Sequence, residues 1–279
     1  MNNKTTERVS LAVKWIILLV VLLATYVPLI VVIVYSFSGV KNIGGEFGQF
    51  TFANYAKLFS DFENNELLKA TKNTLLIGFV SAAIATALGT TAAVGIHYMR
   101  KKFRAVADTA SQITVVNAEI VTAMAFFLLI VFVRDTVYPI KTGIWWLIIT
   151  HAVITTPYVI LTVSPRLKQL NPNLLEASMD LGAGPMRSLF TVMLPQLAGA
   201  MVSGFALAFT LSLDDFVVTN INSLGSGVET ISTFIYGKIK RGIPIEVRAL
   251  STIFFLVVLI ALIVFNIIKI NKAKNNKTK

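Results

Sequence analysis

Hydrophobic and polar positions along this chain fall into blocks instead of alternating. Residues 15–40, 73–99, 142–165, 188–213 and 249–268 contain no Asp, Glu, Lys or Arg. A sixth apolar stretch, 109–133, contains a single acid, Glu119. A helix needs about 20 mostly apolar residues to cross the hydrocarbon core of a bilayer. The pattern therefore predicts an all-α membrane protein with six transmembrane helices, over about 15–37, 74–99, 109–133, 143–164, 195–218 and 249–268. Together they make one transmembrane domain over residues 1–279. The first run is far longer than the h-region of a signal peptide, about 7–15 residues, so it reads as a permanent helix with Pro28 as a kink point. In the connection after it, "GQFTFANYAKLF" places Phe52, Tyr55, Leu58 and Phe59 at helical spacing. That predicts a short helix lying on the outer membrane surface.

Composition agrees. The chain is 55% hydrophobic and only 14% charged, against about 25% charged in soluble domains. It has no cysteine, which excludes disulfides, thiolate metal sites and a cysteine nucleophile. A net charge of +11 would suit a nucleic-acid partner, but its placement argues against one. With the N-terminus inside, the inner segments 1–14, 99–108, 164–193 and 269–279 hold fifteen Lys and Arg against four acids. The outer segments 38–73, 134–143 and 214–248 hold ten against nine. Orientation follows Lys and Arg near helix ends. Both termini are therefore expected in the cytoplasm, and the basic excess matches an anionic membrane leaflet.

The longest inner connection, 171–195, reads "NPNLLEASMDLGAGPMRSLFTVMLP". Asn171 suits a helix N-cap and Pro172 the first helical position. The helix runs to about Leu181, Gly182 supplies the C-cap, and Gly184–Pro185 resets the chain for a second helix leading through Leu194–Pro195 into the membrane. A short helix presenting an apolar edge and an acid is either a docking surface or an interfacial helix resting on headgroups.

This stretch resembles the EAA loop of binding-protein-dependent ABC importer permeases. The pattern is E-A-A, three residues, Gly, nine residues and I-x-L-P. Glu176, Ala177 and Ser178 hold the first three positions, Gly182 the glycine, Val192 the Ile, and Leu194–Pro195 the end. Ser178 departs from Ala, adding a hydroxyl that should be tolerated. From Ile113 onward, "NAEIVTAM", "HAVITTPYVILTVSPRLKQLNPNLLEASMDLGA", "LAFTLSLDDFVVTNIN" and "VRALSTIFF" are similar to the C-type permease subunits of spermidine/putrescine importers. The resemblance implies a transport subunit, not an enzyme, in which Glu176, Ala177, Ser178, Gly182, Leu194 and Pro195 form a coupling helix seated on an ATPase. It also implies a second permease subunit, two ATPase subunits that use ATP-Mg, an extracytoplasmic substrate-binding protein and a polyamine substrate.

The chemistry available is narrow. No G-x-x-x-x-G-K-[ST] phosphate loop occurs, so energy must come from another subunit and no cofactor is expected on this chain. His97 and His151 each stand alone in apolar runs, and read as polar residues satisfied by helix–helix hydrogen bonds. No metal site and no catalytic set is apparent. Trp145–Trp146 read as an aromatic belt. Intramembrane acids are costly and belong against a cavity or a partner. Glu119 is expected near mid-depth, with Asp214 and Asp215 toward the outer mouth and Ser212 one helical neighbour. These read as successive stations for a cation, with Phe216, Phe126 and Phe127 as walls, or Asp214 and Asp215 cap the end of the fifth helix or face water. The alternatives are an importer of another substrate, such as a metal cation, or a secondary transporter. Against the latter stand the EAA loop and the lack of a visible internal repeat.

Overall fold

The computed structural model describes residues 3–40, 47–60, 65–136, 142–171, 173–239 and 245–275. Twelve α-helices form among them: α1 (Asn3–Ser36), α2 (Ala53–Ser60), α3 (Glu66–Tyr98), α4 (Lys101–Val116), α5 (Glu119–Thr136), α6 (Ile144–Gln169), α7 (Asn173–Asp180), α8 (Pro185–Ser188), α9 (Leu194–Asp214), α10 (Val217–Asn222), α11 (Ile231–Ile239) and α12 (Ile245–Asn275). A π-helical turn, Leu189–Met193, joins α8 to α9. The described residues form no sheet, only one isolated bridge between Ser38 and Phe50. Four helical stretches are long and apolar enough to cross a membrane: Val13–Ser36, Glu66–Tyr98, Ile144–Gln169 and Pro185–Asp214. The bent pair α4–α5 makes a fifth if it counts as one span. The expected span at 249–268 falls in α12, where several side chains lie outside the described set. So do Pro172 and residues 137–141 of the connection before α6.

The chain divides into two compact units, one of Met1–Leu68 with Ile235–Lys279 and one of Lys69–Phe234. In the first, α12 packs on α1 and α2. Residues 13–30 of α1 are exposed on every side, as a helix facing lipid would be. The chain leaving α1 is fastened by α2, the short helix expected from the periodicity. Asn54 donates to the carbonyls of Ser36 and Ser38 at 2.7 and 2.9 Å, and Tyr55 shares a 2.7 Å hydrogen bond with Ser36. Phe37 stacks on Phe50, and Arg248, which is buried, donates to the Val40 carbonyl at 2.8 Å.

In the second unit, α6 packs along α9, with α3 against both. The seam is built on small residues. A Cβ at Gly89 would meet Val159 at 2.7 Å, and one at Gly204 would meet it at 3.1 Å. Val159 thus fits between two glycines, the close approach by which helices associate without a hydrophobic driving force. Around it pack Ala85, Val163, Leu197 and Ala208, all buried.

Two expected spans are not continuous helices, and both breaks matter for function. The stretch 109–133 divides at Asn117 and Ala118, where α4 and α5 meet at 100°. Asn117 takes an extended backbone (ψ 143°) after a run of β-branched residues, its N–H closes the last turn on Ile113, and its side chain donates to Thr122 at 3.0 Å. Glu119 therefore opens a helix instead of sitting inside one. The second break comes at Asp215, whose ψ of 127° ends α9 short of the expected 218. Pro195, by contrast, breaks nothing. The π turn before it already shifts the hydrogen-bond ladder, Leu194 N–H reaching Leu189, and so accommodates a residue with no N–H to give.

Candidate functional site

The two breaks face each other. The Glu119 and Asp215 carboxyls are close enough to interact electrostatically. Glu119 and Asp215 line one open cavity of about 180 Å³. Its lining is mixed, with polar Asn117, Thr122, Thr155 and Ser212 and the more apolar Ile154, Tyr158 and Leu211. No Lys or Arg is among its lining residues. Two carboxylates this close repel, and a cation between them relieves the repulsion.

Asp215 is held by backbone. It accepts hydrogen bonds from Val218 N–H at 3.2 Å, Thr219 N–H at 2.8 Å and the Thr219 hydroxyl at 2.7 Å. These are the donors that a helix start leaves without partners, so the carboxylate caps α10 while facing the cavity. Beside it His151 lines the same cavity, its side chain 3% exposed, with Nε2 3.4 Å from Asp215 Oδ2. The ring bridges Ser212 at 2.7 Å and Thr219 at 3.0 Å, and Ser212 in turn meets Ser81 of α3 at 3.2 Å. A few residues further on, Asn222 ties α10 to α5 through the Ala123 carbonyl at 3.1 Å and accepts from Trp146 at 3.1 Å.

Several expectations change here. Glu119 and Asp215 line one cavity, the 100° bend at Asn117 turning α5 toward the α9–α10 turn. Asp214 is exposed and is not among the cavity-lining residues. Ser212 is buried, lines the same cavity and hydrogen-bonds the His151 ring. Phe126 packs edge-on against Trp146 at 6.3 Å, and neither it, Phe127 nor Phe216 lines the cavity. Trp146 is thereby part of the packing, whereas Trp145 is 72% exposed, as a belt residue would be. His151 is satisfied by helix–helix hydrogen bonds, as its isolation suggested. Its neighbours Thr155 and Tyr158 were missed, although polar groups at i, i+4 and i+7 of an apolar helix mark a cavity-facing stripe.

The inner loop folds from its own residues. Asn171 Oδ1 accepts from Asn173 N–H at 3.0 Å. At the other end Gly182 has φ +86°. Its N–H bonds Met179 O at 2.9 Å, and Ala183 N–H bonds Ser178 O at 3.2 Å, the paired bonds of a Schellman C-cap. The Ser178 hydroxyl pairs with Ser188 at 2.9 Å, tying α7 to α8 across the glycine turn. Helices shorter than about 12–15 residues are marginal alone. These ties, and Leu175 packed on the unit's core, make an eight-residue helix rigid. Glu176 and Ala177 remain exposed on its surface, as does Leu181 beyond it, 90% exposed.

Among the described residues the fold is all-helical with four or five apolar spans, that of a membrane protein, and comparison with known proteins specifies which kind. Residues 85–271 match the family model described as "Binding-protein-dependent transport system inner membrane component". The spermidine/putrescine transport system permease protein PotC of Escherichia coli K12 is 34% identical over 251 residues, covering 90% of this chain and 91% of the relative. The putrescine transport system permease protein PotI of the same organism is 32% identical, covering 91% and 88%. Among solved structures, a bacterial ABC transporter involved in import of the acidic polysaccharide alginate aligns with a TM-score of 0.68 at 16% identity, covering 95% of this chain and 96% of that one. The MetNI methionine ABC transporter, in inward-facing conformations, aligns at 0.56 and 21% identity, covering 74% and 95%. This chain belongs to the family of inner membrane components of binding-protein-dependent transport systems. It is a multi-pass permease subunit, not an enzyme.

Proposed function

We propose that the chain is a permease subunit of an ATP-driven importer of polyamines, spermidine or putrescine. The observation that carries this reading is the Glu119–Asp215 pair: two carboxylates at helix breaks, in a cavity lined also by apolar side chains and, among the described residues, by no Lys or Arg. A polyamine is an alkyl chain bearing ammonium groups. The carboxylates take an ammonium, while Ile154, Leu211 and the ring of Tyr158 suit the methylenes and add a cation–π contact. Relatives that carry polyamine substrates in their names support the same assignment. In this reading all six apolar stretches span, both termini are cytoplasmic, and residues 1–279 form one permease domain. A second permease subunit completes the path, a binding protein delivers substrate from outside, and two ATPase subunits seat α7 and hydrolyse ATP-Mg.

The test is uptake by the whole importer in cells lacking other polyamine uptake. Labelled spermidine should accumulate, with excess putrescine competing and excess divalent metal or methionine leaving it unchanged. Competition by the metal and not by putrescine would overturn the substrate.

Orientation is tested separately, and the absence of native cysteine makes the experiment clean. A cysteine replacing the exposed Leu224 should react with an impermeant maleimide in intact cells. One at position 275 should react only after the cells are opened, and labelling there from outside would reverse the topology.

A further inference from the structure

We infer that His151 and Thr219 are positioning residues that aim the Asp215 carboxylate at the cation, and that import affinity depends on this buried relay. The inference rests on the cation-site reading of Asp215.

The direction of the hydrogen bonds follows from counting protons. A carboxylate accepts only, so the 2.7 Å contact between Thr219 Oγ1 and Asp215 Oδ2 uses the single hydroxyl proton of Thr219. Thr219 Oγ1 then has none to give to His151, and the 3.0 Å contact to Nε2 must be donated by the imidazole. The ring's other nitrogen is occupied by Ser212 at 2.7 Å, and Ser212 is braced by Ser81. The order Ser81–Ser212–His151–Thr219–Asp215 therefore links α3, α9, α6 and α10. Ser81, Ser212, His151 and Thr219 are all buried, at 5% exposure or less.

The relay has a reason to exist. Asp215 sits on the unwound turn that ends α9. The N–H groups of Val218 and Thr219 hold Oδ1 and Oδ2 respectively, and the Thr219 hydroxyl adds the shortest bond, 2.7 Å, on Oδ2, drawing that oxygen toward Thr219. Thr219 is not among the cavity-lining residues, so it reaches the substrate only through Asp215.

The experiment uses the assembled importer and labelled spermidine, with apparent KM and maximal rate measured separately. Thr219→Val keeps the shape and deletes the hydroxyl. It should raise KM roughly tenfold or more, the effect of losing a hydrogen bond to a charged group, at unchanged membrane level and maximal rate. Thr219→Ser should restore KM. His151→Ala should raise KM too, and the double variant with Thr219→Val should be no worse than the poorer single one, since both cut one relay. A Thr219→Val importer with wild-type KM, beside an Asp215→Asn importer that is impaired, would overturn the positioning role and leave the cation site standing. Wild-type KM in Asp215→Asn would remove the cation site itself, and the relay's function with it.

Discussion

Glu119→Gln is expected to lower spermidine import by roughly 10–150-fold at subsaturating substrate, with the importer assembled normally. The range is the loss of one hydrogen-bonded contact to a charged group, about 1.5–3 kcal/mol, converted at about 1.4 kcal/mol per factor of ten. This substitution isolates charge better than one at the partner acid. Glu119 is in the first turn of α5 and exposed within the cavity, so Gln keeps both shape and helix. Asp215 carries three hydrogen bonds from Val218 and Thr219. Asn there keeps one acceptor oxygen for the α10 N–H groups but turns an NH2 group toward at least one of those donors, and it removes the charge. Asp215→Asn should therefore be at least as damaging to transport. Asp214→Asn, exposed and outside the cavity lining, should stay within a few fold of wild type. Measured uptake rates at matched membrane levels decide. A Glu119→Gln importer at the wild-type rate would make the acid pair structural and remove the main physical support for a polycation substrate.

The second large effect is expected at the inner loop. Gly182→Pro should leave the chain in the membrane at its normal level and abolish recovery of the ATPase on co-purification. Pro fixes φ near −65°, whereas Gly182 stands at +86° and its N–H bonds Met179 O at 2.9 Å. The substitution thus reverses the turn and removes a Schellman bond at once. No atom lies within 4 Å of the site of a Cβ at this glycine, so the damage stays local to the turn and does not reach the α6–α9 core. Gly182→Ala gives a graded control. It needs only a left-handed Ala, at about 1–2 kcal/mol, and should weaken attachment without abolishing it. Glu176→Lys should weaken it too, by placing a cation in the first turn of α7 where an acid belongs. Normal ATPase recovery with Gly182→Pro would exclude α7 as the docking element.

Ser178 shows how the loop's sequence and its structure inform each other. Measured against the EAA pattern it is a departure that adds a hydroxyl. In the fold that hydroxyl has a partner in Ser188, ten residues on and beyond the turn. The pattern could indicate that a small residue fits there, and only the folded turn brings the two serines together.

What the residues determined unaided were the features with local physical causes. Long uncharged runs must be helices, because a bilayer core offers backbone groups no other partners. A glycine before Ala-Gly-Pro must end α7, because left-handed φ is nearly free only for glycine. Glu119 and Asp215 had to face something polar, because hydrocarbon would not hold them. What needed tertiary structure was where the helices break and what the breaks meet. The kink at Asn117 is encoded weakly, in a β-branched run followed by an amide, and hydropathy runs straight through it. The meeting of Glu119 with Asp215, 96 positions apart in sequence, depends on α10 packing against α5 and α6. So does the capture of His151 between Ser212 and Thr219. These are contacts between helices that look alike to a bilayer, and no periodicity along a single chain records which faces will pair. Packing decided that, through Val159 set between Gly89 and Gly204, and it turned three separate polar positions into one site.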